Sequence, residues 1–84
     1  MTPWPDTFDD VLRNACLLAP PEGEIDPGVP LTRLGVDSLG VLGLIVAVED
    51  AFDIVVPPAL LTTENLSTPG TLWQLVQQCH REQA

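Results

Sequence analysis

The first segment with a regular apolar pattern covers residues 7–19. Its apolar side chains recur every three or four residues, which is the spacing of one face of an α-helix. Asp9 and Asp10 lie in what would be the first turn, where the helix dipole favours negative charge. Pro20 and Pro21 end the pattern. The segment predicts an amphipathic helix whose buried face consists of Phe8, Val11, Leu12, Ala15 and Leu18.

The second segment is the most apolar part of the chain, and it follows the pair Asp37-Ser38. A run of this composition could be a buried strand, but its length and its polar start favour a helix over residues 38–53. One stripe along this central helix would face the core, and it consists of Val41, Leu44, Ile45, Val48 and Phe52.

The opposite side of the central helix lacks the polar residues that a surface helix normally carries. Either the bundle encloses the helix on all sides, or the helix presents an apolar patch to a partner. We favour the patch, because a domain of 84 residues cannot easily surround one helix completely. The predicted partner face comprises Leu39, Gly40, Leu42, Gly43 and Val46, followed by Glu49 and Asp50.

The third helix begins after Thr68, a residue type that often caps helices, and Pro69 suits its first position. Two shorter elements are also predicted. Leu31–Leu34 forms a turn that ends in Gly35, and residues 59–63 have room for a short helix. The buried face of the third helix is expected to consist of Leu72, Leu75, Val76 and Cys79.

These elements predict an all-α fold, a small four-helix bundle of three main helices and one short helix. The length allows one domain over residues 1–84. We expect residues 1–6 to be a flexible N-terminal lead and residues 82–84 to be a C-terminal tail.

The charge of the chain restricts its partners. The chain has twelve acidic residues, three arginines and no lysine, which gives a formal net charge of −9. With no basic surface to displace counterions from phosphates, the chain is not expected to bind nucleic acid. The same charge argues against docking on an anionic membrane and favours partners with basic surfaces.

The sequence carries no recognisable targeting segment. The acidic N-terminal region has the wrong charge for a signal peptide, and the longest apolar stretch, residues 39–48, is too short to span a bilayer. Cys16 and Cys79 have neither metal-binding nor redox spacing. We expect two reduced thiols in a cytoplasmic protein, although one bridge between them stays open.

Ser38 is the candidate for chemistry in the central segment. Taken alone, a serine at this point is a common helix N-cap and nothing more. A nucleophilic serine needs a base, but the only histidine is His80 near the C-terminus and there is no lysine. The acidic residues are scattered and suggest no metal site. We therefore expect neither catalytic residues nor a bound metal.

The order of motifs around Ser38 resembles the acyl carrier and peptidyl carrier superfamily. The matching stretches are "LTRLGVDSLGVLGLIVAVEDAFDIVVP" and, after a short gap, "LSTPGTLWQLV". The positions in register with the family pattern are Leu31, Leu34, Gly35, Asp37, Ser38, Leu39, Glu49, Asp50, Phe52, Val56, Pro57 and Thr68.

The resemblance implies that Ser38 is the attachment site of 4′-phosphopantetheine, which a phosphopantetheinyl transferase adds from coenzyme A. Asp37 matches the motif acid and would cap the helix and present Ser38 to the transferase. The helix after the serine is the main face that partner enzymes contact in related carriers. The expected partners are the transferase, a loading enzyme (an adenylation enzyme or an acyltransferase), and downstream synthase or tailoring enzymes. The chain itself would catalyse nothing and would be a monomer.

The chain departs from the fatty-acid carriers at Gly40 and Gly43, where those proteins usually have acidic residues. Either the glycines allow a partner to approach closely, or they are drift in a helix that its core stripe stabilises. We favour close approach. We expect a free-standing carrier that holds acyl or aminoacyl thioesters in polyketide or nonribosomal-peptide-type specialised biosynthesis. One alternative is an aminoacyl or peptidyl carrier that an adenylation enzyme loads. The other is an unmodified interaction module in which Ser38 only caps the helix.

Overall fold

The computed structural model describes residues 2–20 and 22–83 and contains three α-helices and two single-turn 3₁₀ helices. Within those ranges no β-strand forms, which confirms the predicted all-α class. None of the described helices has the length and the hydropathy that crossing a bilayer requires. In chain order the elements are α1 (Asp6–Ala15), a 3₁₀ turn (Leu31–Leu34), α2 (Ser38–Phe52), a second 3₁₀ turn (Pro58–Leu60) and α3 (Pro69–Gln83).

The core forms where α2 packs against α1 and α3, more extensively against α1. On α2, the predicted stripe is confirmed, because Leu44, Ile45 and Val48 are buried while Val41 and Phe52 are partly buried against the same cluster. The prediction for α3 is also confirmed. Its four stripe residues, Leu72, Leu75, Val76 and Cys79, are all buried.

The first helix is shorter than its periodicity predicted. It ends at Ala15, because the backbone of Cys16 turns to an extended conformation (φ −101°, ψ 96°). The guanidinium of Arg13 donates hydrogen bonds to the carbonyl oxygens of Pro20 and Gly23, which hold the following loop back over the last turn. The prediction that residue 18 belongs to the buried face is wrong, since Leu18 is 68% exposed. The second proline of the predicted stop lies outside the described residues.

The prediction of a flexible lead is wrong for Trp4, which is buried in the core. Its ring meets that of Phe8 edge-on, with centroids 5.3 Å apart, and its Nε1 donates to Asp9 Oδ1 at 3.1 Å. Position 6 is already helical. The predicted tail is wrong as well, because α3 continues to Gln83, whose side chain bonds to the backbone of Val55. Residues 1 and 84 lie outside the described part of the chain.

All four aromatic side chains meet at one end of the bundle. The Phe8 ring lies 5.0 Å from the Trp73 ring and 6.3 Å from the Phe52 ring, measured between centroids, in addition to its contact with Trp4. The Phe52 and Trp73 rings are 5.8 Å apart. Such tilted and edge-on pairs stabilise a core beyond the burial of their area. The rings of Phe8, Phe52 and Trp73 thus connect α1, α2 and α3 at this end of the core.

The first 3₁₀ turn matches the prediction, and Gly35 ends it in the left-handed conformation (φ 86°) that favours glycine. The predicted short helix at residues 59–63 is a single 3₁₀ turn that ends at Leu60. It extends no further because the side chains of the next loop bond to the backbone. Asn65 donates from its backbone N–H to Thr62 Oγ1 and from its amide to the carbonyl of Leu60.

Burial affects the pKa values of one carboxyl group and of both cysteine thiols. Burial alone would raise the pKa of Asp9, but hydrogen bonds from Arg13 and Trp4 and the positive charge of Arg13 outweigh it, so the pKa is lowered. Cys16 and Cys79 are both free and buried. Burial raises the pKa of each thiol, and the negative charges of nearby glutamates raise that of Cys79 further.

Candidate functional site

The start of α2 places Ser38 at the surface with its hydroxyl free. Asp37, in an extended conformation, is the N-cap, and its Oδ1 accepts a hydrogen bond from the Gly40 N–H at 2.7 Å. Ser38 is the first helical residue, it is exposed, and no described residue forms a hydrogen bond with its hydroxyl. The interpretation of Ser38 as the cap is therefore wrong, because the preceding aspartate already performs that role.

The backbone before Ser38 is fixed from both sides. Gly35 turns the chain out of the 3₁₀ helix, and the next residue, Val36, buries its side chain and donates its N–H to the carbonyl of Leu31. Leu18 lies over the glycine, with its N–H bonded to the carbonyl of Leu34 at 2.9 Å. A buried valine on one side and a capping carboxylate on the other thus hold Ser38 at a defined place.

This end of α2 suits a negatively charged group on Ser38 Oγ. The first N–H groups of any α-helix have no intrahelical acceptor, and the capping carboxylate of Asp37 satisfies only that of Gly40. The N–H groups of Ser38 and Leu39 therefore remain available at the positive end of the helix dipole. The residues present fit a phosphodiester at this position.

A groove of about 750 Å³ opens beside Ser38, between α2 and the loop over residues 61–67. Its floor is mostly aliphatic and its far wall carries hydroxyl groups. The sequence patterns did not identify this wall, because the loop has no periodic spacing and its residues come close to Ser38 only through the fold. The lining residues that matter most are Val41, Leu42, Ile45, Leu66, Thr62 and Ser67.

The predicted apolar patch on α2 is open to solvent. Leu39 is 79% exposed, Leu42 is 58% exposed and Val46 is 63% exposed, so the bundle does not enclose this side of the helix. At the far end of the face, Asp50 is exposed. Glu49 is partly buried, and its Oε2 accepts a hydrogen bond from the backbone N–H of residue 56 at 2.9 Å. Of the two predicted acids, one is thus engaged by the fold.

The two glycines of this helix have different surroundings. A Cβ atom on Gly40 would lie 3.1 Å from Asp37 Oδ1 and 3.4 Å from the Cγ1 atom of Val36. A Cβ atom on Gly43 would have no neighbour within 4 Å. The first glycine makes room for the capping carboxylate, whereas the second has no reason in the fold.

Two exposed leucines in the loop after α1 were missed by the sequence analysis. Leu17 is 85% exposed, and Leu18, which had been assigned to a buried face, lies beside Gly35. Only the position at which α1 ends decides their exposure, and no motif marks it. Leu18 adds apolar surface beside Gly35, which precedes Ser38 by three residues in the chain.

The single histidine lies far from Ser38. His80 lines a second cavity of about 390 Å³ together with Phe52 and Trp73. Phe52 is the last residue of α2 and Ser38 is the first. A 15-residue helix is about 22 Å long, so an entire helix length separates the imidazole from the hydroxyl.

Comparison with known proteins agrees with this geometry. The family model described as "Phosphopantetheine attachment site" matches residues 9–76. Among curated proteins, none is significantly similar in sequence. A chain in the crystal structure of a Bradyrhizobium japonicum glycine:[carrier protein] ligase, complexed with its cognate carrier protein and an analogue of glycyl adenylate, has a similar structure. The match has a TM-score of 0.72 and 25% identity, and it covers 87% of this chain and 94% of that one.

Proposed function

Because the chain belongs to the phosphopantetheine attachment-site family, we propose that Ser38 is the residue that bears its covalent cofactor. The family identifies the chain as a carrier protein and the cofactor as 4′-phosphopantetheine. The observation that supports Ser38 is its hydroxyl, which is exposed and without a hydrogen bond to any described residue, at a helix start that Asp37 already caps.

The chain's own residues would present the hydroxyl and accommodate the negative charge. In the modification, Ser38 Oγ would form a bond to the phosphorus that carries the pantetheine in coenzyme A, the P–O bond of the pyrophosphate would break, adenosine 3′,5′-bisphosphate would leave, and the transferase would remove the hydroxyl proton. The free N–H groups at the start of α2 then lie next to the new phosphodiester. When attached, 4′-phosphopantetheine supplies a thiol that carries acyl or aminoacyl groups as thioesters.

The groove beside Ser38 has room for part of the attached arm and its cargo. Its volume, about 750 Å³, falls within the range of ordinary small-molecule sites. Aliphatic side chains on α2 would contact apolar parts of the arm, and hydroxyl groups such as Thr62 Oγ1 and Ser67 Oγ could bond to its amides.

We assign the chain no catalytic step of its own. A serine nucleophile needs an adjacent base, and the one histidine lies at the other end of α2. The partner enzymes would be the phosphopantetheinyl transferase, a loading enzyme, and downstream synthase or tailoring enzymes. The open face of α2 is the surface on which they would dock. The proposed setting is the cytoplasm, where free thiols such as those of Cys16 and Cys79 stay reduced.

The cargo is the less constrained part of the proposal. The glycines and the exposed leucines on α2, in place of acidic residues, favour a dedicated carrier for polyketide or nonribosomal-peptide-type specialised biosynthesis. A second candidate, an aminoacyl carrier loaded by an adenylating enzyme, gains support from the structural neighbour, which is a carrier protein in complex with a glycine ligase. Incubation of the modified protein with adenylating enzymes and with acyltransferases distinguishes the two, since only the matching class should transfer its unit.

The attachment site is tested by intact mass spectrometry after incubation with coenzyme A and a promiscuous phosphopantetheinyl transferase. We expect the wild type to gain one phosphopantetheine and Ser38→Ala to gain none. Ser67→Ala is a matched control, because Ser67 is the only other serine in the chain and also lines the groove. Equal modification of Ser38→Ala, or no modification of the wild type, would refute the assignment.

A further inference from the structure

Gly43 occupies a helical position where the fold does not require a glycine. It lies in the middle of α2, it is exposed, its φ is not positive, and an added Cβ would meet no atom within 4 Å. Alanine at such a site would stabilise the helix, because glycine is among the least favourable helix residues. The contrast with Gly40, whose missing Cβ leaves room for the carboxylate of Asp37, isolates Gly43 as the unexplained glycine.

The surroundings of Gly43 form a notch in an apolar surface. Residues three and four positions away are its neighbours on a helix, and these include Leu39 and Val46. Both side chains are exposed, as is that of Leu42. The missing side chain therefore exposes the backbone of α2 between protruding aliphatic groups, about 7.5 Å along the helix axis from Ser38.

The charge around the notch restricts what can occupy it. No basic residue lies on α2, and Asp50 and Asp53 are exposed toward its far end. The whole chain carries a net charge of −9. An apolar segment with a basic side chain at one end matches this surface both in shape and in charge. A second copy of the chain would bring like charge to the same place.

We propose that Gly43 sets the docking depth of the adenylating enzyme that loads the arm: an apolar segment of that enzyme approaches the α2 backbone between Leu39 and Val46, with a basic side chain facing Asp50. This rests on the second candidate function proposed above, an aminoacyl carrier loaded by an adenylating enzyme, and adds the residue that determines specificity in the loading step. In that step the arm's thiol sulfur forms a thioester with the aminoacyl carbonyl, the mixed anhydride to AMP breaks, and the thiol proton is released. Gly43 takes no part in that chemistry and acts through the fit of the two proteins.

The test compares stability and loading in Gly43→Ala, Gly43→Leu and the control Gln74→Ala, which changes an exposed position of α3. Each protein is first converted with coenzyme A and a promiscuous phosphopantetheinyl transferase, and the conversion is verified by intact mass. The probe is the Bradyrhizobium japonicum glycine:[carrier protein] ligase with ATP and glycine. Initial rates of glycyl transfer are measured against carrier concentration, and thermal unfolding is followed on the unmodified proteins.

We expect Gly43→Ala to raise Tm by about 4–8 °C, because about 1 kcal/mol of helix propensity has that effect in a domain of this size. The same substitution should raise KM for the carrier about tenfold at unchanged kcat, as a methyl group overpacks the close contact. Gly43→Leu should raise KM further, although it adds apolar surface. Gln74→Ala should leave both Tm and KM unchanged.

Three results would overturn the proposal. Loading of Gly43→Ala at the wild-type rate would show that the partner does not approach the notch. Better loading of Gly43→Leu would show that apolar area matters and depth does not. No loading of the modified wild type would exclude a ligase of this class as the occupant. Failure of the underlying carrier function is distinguishable, because it appears as absent phosphopantetheine in the mass measured before the ligase is added.

Discussion

The two faces of α2 obey different constraints. One face carries Leu44 and Val48, which are almost fully buried, and packs against α1 and α3. The other face carries Leu39 and Val46, which are similar in size and apolarity but mostly exposed. Packing explains the first set completely and leaves the second set without a structural reason. Packing therefore accounts for apolar side chains on one side of the helix, whereas docking of a partner, as proposed, would account for those of the same type on the other.

The largest expected effect separates the two faces directly. Leu44→Ala should lower the free energy of unfolding by about 2–5 kcal/mol, because it leaves a cavity in a close-packed core. Leu39→Ala, the same substitution on the open face, should change it by no more than about 0.5 kcal/mol. Urea denaturation measures both values. Comparable losses would mean that the open face is packed in solution.

A smaller effect on stability is expected from the N-cap at the start of α2. Asp37→Ala removes the acceptor of the Gly40 N–H and should destabilise the protein by about 1 kcal/mol. Asp37→Asn keeps a capping oxygen and should retain most of the stability. The two variants are compared by chemical denaturation. If Asp37→Asn lost as much stability as Asp37→Ala, the negative charge of Asp37 would stabilise the helix and its hydrogen bond would not.

The smallest expected effect is the pH dependence of stability that comes from Asp9, which lies on α1 and not on the open face of α2. The folded-state pKa of Asp9 is lowered, so its contribution to stability is present above the unfolded pKa of about 3.9 and is lost as the pH falls through the folded value. The stability difference between wild type and Asp9→Asn should therefore be under about 1 kcal/mol at neutral pH and should vanish in acid.

Arg13→Gln provides the control for this pH effect. It removes the ion pair with Asp9 and also the hydrogen bonds from Arg13 to the carbonyls of Pro20 and Gly23, so its stability deficit should shrink in acid without vanishing. Thermal unfolding between neutral pH and about pH 3 follows all three proteins. A stability difference that does not change with pH would contradict the role of the Asp9 charge.

The sequence predicted those parts of the fold in which apolar residues have a regular spacing and a recognisable residue ends the element. The helix over Ser38–Phe52 and the buried stripe of α3 follow from apolar spacing. Gly35 was predictable because a left-handed helix end selects for glycine. The position of Ser38 at a helix start, and the apolar patch behind it, required only the wheel geometry of one segment.

The parts that were not predictable depend on contacts between segments. The place where α1 ends is decided by Arg13, which bonds to carbonyl groups of a later loop. Trp4 joins the core through the ring of Phe8 on α1, and the prolines around Trp4 gave no periodic signal. Glu49 is drawn into the fold by a backbone N–H seven residues later. The groove wall over residues 61–67 comes close to Ser38 only after the bundle has formed.

The burial of the two cysteines has a chemical consequence if the carrier holds thioesters as proposed. Thioesters are consumed by thiolates and by unprotonated amines. Cys16 and Cys79 are buried, with raised thiol pKa values, and the sequence contains no lysine. Cargo on an arm attached to Ser38, as proposed, would therefore meet no competing cysteine thiolate or lysine amine on its own carrier. With both cysteines buried, the thiol at the end of the proposed arm would be the one open to reagents.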